Sequence, residues 1–217
     1  MEINRVGVIG AGQMGAGIAQ VCASIGKVVT LCDIKQDFVN NGIATINKNL
    51  QRSVSKDRIS QKQMDDTLCN VTTTLEMKDL KDFDIIIEAI IEDVSIKKEL
   101  FTDLGLICDS KTILASNTSS IPIGILAEAS GRPSKVVGMH FMNPVPVMKL
   151  VEVIRAKTTS DDTRFLTLGD FSKNALKCSL FKSAIDNSSF EIMLCHKSIP
   201  FVDFFANITE IATQNKI

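Results

Sequence analysis

Hydrophobic residues occur along the chain in short runs separated by amphipathic or polar segments, and the first run is Val6–Ile9. It leads into glycines at positions 10, 12 and 15, after which small and apolar residues from 16 to 24 recur at helical spacing. The pattern predicts a strand, a tight turn and a helix. Later apolar runs predict further strands at 27–33, 71–74, 84–91, 112–115, 135–144 and 149–154.

The segments between these runs predict helices. Residues 37–64 carry apolar side chains at three- and four-residue spacing and predict an amphipathic helix or helical pair with a basic outer face. Residues 95–107 and a short stretch from Pro122 to Ala129 predict two more helices. Strands that alternate with helices indicate an α/β fold of the Rossmann type, with a doubly wound, mostly parallel sheet.

The glycine turn has the spacing of a dinucleotide-binding motif, with the expected strand before it and helix after it. In such a motif Gly10 allows the tight turn, Gly12 lets the backbone approach a pyrophosphate, and Gly15 lets helix and strand pack closely. The N–H groups at the start of the helix then face an anion. The alternative is a glycine-rich turn that binds no ligand.

An acidic residue follows the second predicted strand and bears on the choice of cofactor. Asp33 lies 23 residues beyond Gly10, near the position where an acid bonds the adenosine ribose hydroxyls in this motif. Its charge would repel a 2′-phosphate, so we expect NAD in preference to NADP, although Lys35 lies nearby. The alternative is a solvated acid at a strand end.

Composition excludes several classes of protein. The 217 residues have a net charge of −1, which gives no general attraction for nucleic acid or an acidic membrane surface. With no tyrosine or tryptophan and only two histidines, an enzyme that uses tyrosine as its acid/base is excluded. Six cysteines without C-x-x-C spacing indicate reduced, mostly buried thiols and argue against a zinc site. We expect a cytoplasmic protein with no leader, no membrane span and no bound metal.

Three polar features converge at predicted strand ends: residues 116–120, His140 with Asn143, and Glu152. Oxidation of a secondary alcohol by NAD needs a base, and imidazole is the side chain whose unperturbed pKa lies nearest neutrality. A carboxylate in an apolar strand, such as Glu152, can orient that imidazole, while Ser119 and Asn143 can hold the substrate oxygen. Taken singly, a strand histidine is more often structural and a serine-rich turn more often caps a helix.

The segments 7–20, 115–120 and 138–154 together resemble the short-chain 3-hydroxyacyl-CoA dehydrogenases, and the likeness covers residues 1–165. The resemblance implies that His140 is the catalytic acid/base and that Glu152 pairs with it. It also implies that Ser119 bonds the 3-oxygen of the substrate and that Asn143 lies in the active site. The expected reaction interconverts 3-hydroxyacyl-CoA and 3-oxoacyl-CoA.

The resemblance also implies binding residues for two ligands. The cofactor contacts that it implies are Gly10, Gly12, Gln13, Met14, Gly15, Asp33, Glu92, Lys97 and Asn117. The acyl-CoA contacts are Ser119 and Asn143, together with a polar helical region in which Lys48, Arg52 and Lys56 are candidates. From the residues alone, a solvated helix face is the simpler interpretation of these three basic side chains.

Beyond residue 165 the resemblance fails. Residues 166–173 still suit the family's helix, but the rest lacks the family's Ser-Pro-Gly-Phe-like turn, its catalytic asparagine and its helical dimerisation domain. We expect a NAD-binding Rossmann domain at 1–165 and a divergent tail at 166–217, which either completes the Rossmann domain or stays partly disordered. A truncated or frame-shifted gene would explain this, and translating the downstream DNA in all frames tests it. The expected protein is then a monomer that binds NAD with weak or absent turnover.

Overall fold

The computed structural model describes residues 2–148, 150–173, 180–183 and 190–193, and its centre is a seven-stranded sheet. The strands are β1 (Arg5–Ile9), β2 (Val28–Cys32), β3 (Val71–Thr74), β4 (Ile85–Glu88), β5 (Ile113–Ser116), β6 (Val136–Phe141) and β7 (Val151–Arg155). Their order in the sheet is β3-β2-β1-β4-β5-β6-β7. The first six strands are parallel, and β7 pairs antiparallel with β6.

Helices connect the strands. They are α1 (Gln13–Ser24), α2 (Gln36–Val54), α3 (Gln61–Cys69), α4 (Val94–Ile107), α5 (Ile123–Ala129) and α6 (Asp161–Lys173), with 3-10 turns at Met77–Leu80 and Pro133–Lys135. Helix α3 begins with a capping box, in which the Ser60 and Gln63 side chains each bond the other residue's backbone N–H. Two short strands, β8 (Leu180–Ser183) and β9 (Phe190–Met193), pair antiparallel with each other.

The predicted fold class is confirmed, and two strands end earlier than predicted. The strand predicted at 84–91 ends at Glu88, because the Glu88 carboxylate accepts the N–H of Ile90 at 2.8 Å and the chain turns there. The strand predicted at 135–144 ends at Phe141. The segment 37–64 forms two helices, α2 and the start of α3, which confirms the helical pair among the two predicted alternatives. The predicted boundary at 165 lies inside α6, and apart from β8 and β9 the chain after 173 lies outside the described residues.

Buried apolar side chains cover both faces of the sheet. The three isoleucines of β4, Ile85–Ile87, are fully buried, as expected for a central parallel strand. One core lies on the side of α1 and α2 and includes Ile18 and Ile46, while the other includes Phe101 of α4 and Leu126 of α5.

The strand order places a crevice at the carboxyl edge of the sheet. The chain runs outward from β1 to β2 and β3, and then returns to β4 on the other side of β1. Loops that leave β1 and β4 therefore diverge, and ligands of open α/β sheets bind at such a reversal.

Cysteine side chains in the described residues are free thiols, with Cys22, Cys32 and Cys108 buried and Cys69 exposed. Cys178 and Cys195 lie outside the described residues. Across the described residues, no helix combines the length and the apolar character needed to span a bilayer.

Candidate active site

The glycine turn after β1 has the shape of a phosphate-binding cradle. Gly10 has a φ of +100°, and a Cβ there would lie 2.6 Å from the Ala89 carbonyl oxygen. A Cβ on Gly15 would lie 1.7 Å from the Gly10 oxygen, so helix and strand pack there at backbone contact. A Cβ on Gly12 would meet nothing within 4 Å, and Gly12 supplies no side-chain cap to α1. The first N–H groups of α1 therefore open onto free space that suits a dinucleotide phosphate.

Asp33 holds this turn in place, which the sequence did not reveal. One carboxylate oxygen accepts the N–H of Ala11 at 2.6 Å, and the other accepts the N–H of Ile34 at 2.7 Å. The N–H of Gly10 also donates to the Cys32 carbonyl at 2.8 Å, so the end of β2 braces the turn after β1. Contact of Asp33 with a ribose stays a prediction.

His140 and Glu152 form a hydrogen-bonded pair. They lie directly opposite each other in the antiparallel register of β6 and β7, and His140 Nδ1 is 2.8 Å from Glu152 Oε2. A carboxylate only accepts hydrogen bonds, so Nδ1 carries the hydrogen and donates it. The two side chains are 23% and 21% exposed, so the pair is partly desolvated and still reachable.

The serine-rich turn after β5 is organised by Glu92. Glu92 Oε1 accepts hydrogen bonds from Thr118 Oγ1 at 2.5 Å, from the Ser119 N–H at 3.1 Å and from Ser120 Oγ at 3.0 Å. Partial burial raises the pKa of Glu92, but hydrogen bonds from Thr118 and Lys97 outweigh it and lower that pKa to about 2. Glu92 therefore fixes the backbone of the turn that contains Ser119.

Lys97 joins Glu92 to a second carboxylate that sequence reasoning missed. Lys97 is 1% exposed, and its Nζ lies 2.6 Å from Glu88 Oε1 and 3.1 Å from Glu92 Oε2. Glu88 is fully buried at the end of β4. A signal was present, because a carboxylate inside the apolar run 85–91 needs a partner if it is buried.

Amide side chains connect the strand-end loops. Gln13 Nε2 donates to Asn143 Oδ1 at 3.0 Å and links the start of α1 to the loop after β6. Asn117 Oδ1 accepts the N–H of Phe141 at 2.8 Å, next to His140. Both contacts tie the predicted cofactor side of the crevice to the histidine.

One cavity of about 310 Å³ brings together seven of the predicted site residues. Its lining is Met14, Ala89, Ile90, Glu92, Lys97, Asn117, Ser119, His140, Phe141, Met142 and Asn143. The basic residues Lys48, Arg52 and Lys56 do not line it; they are exposed on α2 and the turn after it. A larger cavity of about 480 Å³ lies between α1, α2 and α3, and none of the catalytic candidates lines it.

A dehydrogenase must hold a nicotinamide nucleotide beside a group that exchanges a proton with the substrate. Here a Rossmann glycine turn and His140 lie at the same edge of one sheet, which is the arrangement expected of the nucleotide-binding domain of a dehydrogenase. The chain belongs to the 3-hydroxyacyl-CoA dehydrogenase family. The family model described as "3-hydroxyacyl-CoA dehydrogenase, NAD binding domain" matches residues 5–179. The predicted family and the predicted cofactor, NAD, are thereby confirmed.

Curated relatives and solved structures agree with this family. A probable 3-hydroxybutyryl-CoA dehydrogenase of Deinococcus radiodurans is 46% identical over 193 residues, which cover 88% of this chain and 69% of that protein. A protein of Bacillus subtilis with the same description is 40% identical, over 88% of this chain and 64% of its own length. The crystal structure of (S)-3-hydroxybutyryl-CoA dehydrogenase PaaH1 from Ralstonia eutropha superposes with a TM-score of 0.77. The two sequences are 40% identical, and the match covers 79% of this chain and 61% of the Ralstonia eutropha chain. The chain thus spans about two thirds of the length of these relatives.

Proposed function

We propose that this chain interconverts a 3-hydroxyacyl-CoA, such as 3-hydroxybutyryl-CoA, and the corresponding 3-oxoacyl-CoA with NAD. The observation that carries the proposal is the 2.8 Å hydrogen bond between His140 and Glu152. His140 lines the same cavity as Ser119. When bound, NAD supplies the acceptor for the hydride that leaves the hydroxyl-bearing carbon.

The residues of the chain have distinct parts in this reaction. With Nδ1 bonded to Glu152, His140 uses Nε2 to take the proton of the substrate hydroxyl. The Glu152 carboxylate stabilises the imidazolium that forms. Ser119 and Asn143 hold the substrate oxygen, and the Gln13 amide fixes Asn143.

The proposed cofactor contacts are those that the family resemblance implies, and the shape of the crevice supports them. Gly10, Gly12 and Gly15 with the first turn of α1 would hold the pyrophosphate, with Gln13 and Met14 at the start of that helix. Asp33 would bond the adenosine ribose, while Glu92, Lys97 and Asn117, which line the cavity, would contact the nicotinamide end. We therefore expect an Asp33→Ala variant to lose preference for NADH over NADPH, which paired fluorescence titrations measure.

The direct test of catalysis is the reduction of acetoacetyl-CoA, followed as loss of NADH absorbance. Weak turnover by the wild-type chain would support the proposal, and we then expect the His140→Ala variant to be slower by about two orders of magnitude or more. Equal rates for the two proteins would contradict the assignment of His140. The Glu128→Gln variant, which changes an exposed carboxylate on α5, is a control for nonspecific effects of substitution.

The CoA moiety would contact the basic face of α2. Lys48, Arg52 and Lys56 are exposed and carry charges opposite to the CoA phosphates. Replacing all three with glutamine is expected to raise the KM for acetoacetyl-CoA and leave the Kd for NADH unchanged. A charge-matched control triple replaces Lys81, Lys98 and Lys111 with glutamine. If the variant without Lys48, Arg52 and Lys56 has an unchanged KM, these side chains form a solvated helix face and do not bind CoA.

A second candidate is a dinucleotide-binding protein with little or no turnover. It is favoured by the exposure of apolar side chains next to the site, since Val147 is 63% and Met148 is 42% exposed. A site open to water holds its substrate less firmly, and a misplacement of about 1 Å can cost on the order of a hundredfold in rate. NADH binding by calorimetry without turnover above the blank would favour this candidate.

Two further properties stay predictions. We propose that the chain as given is a monomer, which light scattering after gel filtration tests. We also propose a cytoplasmic location, which fractionation of cells that express the chain tests.

A further inference from the structure

The end of β4 carries a buried ionic network that the proposed reaction does not use directly. The Glu88 carboxylate accepts three hydrogen bonds: from the Ile90 N–H at 2.8 Å, from Lys97 Nζ at 2.6 Å and from Ser116 Oγ at 2.6 Å. Glu88 and Ser116 are fully buried and Lys97 is 1% exposed. Buried ion pairs contribute little net stability, so stabilisation alone is a weak explanation for this one.

The network reaches two of the loops that line the cavity, those after β4 and β5. On one side, Glu88 holds Lys97, which lines the cavity and whose ammonium group also contacts Glu92. On the other side, Glu88 is the register partner of Ser116 across β4 and β5, at the point where both strands end. The Ser116 hydroxyl in turn accepts the N–H of Thr118 at 3.2 Å, one residue before Ser119.

We infer that Glu88 is a positioning residue that fixes Lys97 in the wall of the nucleotide cavity and, through Ser116, sets the serine turn beside it. Glu88 does not line the cavity, so it acts through the neighbours that it bonds: Lys97, Ser116 and the backbone N–H of Ile90. The inference deepens the proposed function and rests on it for the ligand of the cavity. Losing Glu88 should therefore weaken nucleotide binding more than its effect on folding would explain.

Three isosteric or near-isosteric variants separate positioning from stability. Glu88→Gln keeps the shape and one acceptor oxygen but removes the charge that holds Lys97. Ser116→Ala removes only the hydroxyl that joins Glu88 to the serine turn. Thr112→Val is the matched control, because the Thr112 hydroxyl is also fully buried, donates to the Phe83 carbonyl at 2.7 Å, and lies at the opposite end of β5.

The measurements are the Kd for NADH by fluorescence titration and the melting temperature of the unliganded chain. We expect Glu88→Gln to raise the Kd about tenfold, because a hydrogen bond to a charged group is lost. We expect Ser116→Ala to raise the Kd about threefold, because the hydrogen bond that it loses is weaker. Thr112→Val should lower the melting temperature about as much as Ser116→Ala while the Kd stays within about twofold.

Two results would overturn the inference: a Kd within twofold of wild type for Glu88→Gln, or an equal rise in Kd for Ser116→Ala and Thr112→Val. If Glu88→Gln does not fold, the comparison of Ser116→Ala with Thr112→Val decides the question. The titration reads nucleotide binding alone, so a failure of the proposed catalytic activity is seen separately in the acetoacetyl-CoA assay.

Discussion

Replacing Glu152 with glutamine perturbs the His140 pair without changing its shape. The glutamine oxygen can still accept the hydrogen of His140 Nδ1, so the ring orientation and the tautomer are preserved. What is lost is the negative charge 2.8 Å from the imidazole, which matters once His140 has taken a proton from the substrate. The variant therefore isolates charge stabilisation of the imidazolium.

The geometry sets the size of the effect. A hydrogen bond that involves a charged group contributes about 1.5–3 kcal/mol, and the two side chains are only 23% and 21% exposed, so solvent screens the pair partly. A loss of about 2 kcal/mol in the transition state corresponds to a rate about 30-fold lower. We expect this loss in kcat for the oxidation of 3-hydroxybutyryl-CoA, the direction in which His140 takes the proton, with the Kd for NADH within about twofold of wild type.

The assay follows the formation of NADH and compares wild type, Glu152→Gln and the exposed-carboxylate control Glu128→Gln under saturating NAD. A kcat loss below about threefold for Glu152→Gln would refute the role given to its charge. A parallel rise in the Kd for NADH would point instead to a general disturbance of the crevice.

Three other perturbations follow from the structure. Gly15→Ala places a methyl group 1.7 Å from a backbone oxygen and should destabilise the chain by about 3 kcal/mol or more, measured by denaturant unfolding. The lowered pKa of Glu92, about 2 against an ordinary 4.5, stabilises the fold above pH 4.5. That contribution is lost as the pH falls towards 2, so the melting temperatures of wild type and Glu92→Gln should converge over this window. Burial raises the pKa of the Cys22 and Cys32 thiols to about 12, so the exposed Cys69 should react before them with iodoacetamide, as peptide mass spectrometry reports.

Each of these outcomes has a matched comparison. Gly124→Ala, in α5 with no atom within 4 Å of the added methyl, should leave stability unchanged or raise it slightly. Equal effects of the two glycine substitutions would contradict the packing argument. If the melting temperatures of wild type and Glu92→Gln stay equally far apart at every pH, the Glu92 charge does not stabilise the fold. Labelling of Cys22 at the rate of Cys69 would show that α1 opens readily.

Much of the fold was predictable because most of the parallel strands are largely apolar and the glycine turn has a fixed spacing. The candidate catalytic pair was predictable for a related reason, since Glu152 interrupts an apolar strand and His140 lies near the end of another. Their contact depends on antiparallel register between β6 and β7, which an apolar run does not encode.

The supporting residues were harder to predict, because their partners are distant in sequence. Asp33 was predicted as a ribose ligand from its position, but its bond to the Ala11 N–H depends on the adjacency of β1 and β2. Glu88 and Ser116 are 28 residues apart and meet only through the register of β4 and β5. The basic face of α2 was predictable from the spacing of its residues. That this face lies outside the cavity depends on the path of the helix, which the spacing does not give.

The antiparallel strand β7 has a consequence for engineering. Its side chains alternate, with Val151 and Val153 buried and Glu152 between them on the other face. A slip of one residue against β6 would carry both valines into water and turn the carboxylate into the core. The register that brings Glu152 to His140 is therefore enforced by hydrophobic packing and not by the connecting segment. A library that varies the length of the segment at 146–150 should consequently retain the histidine–carboxylate distance.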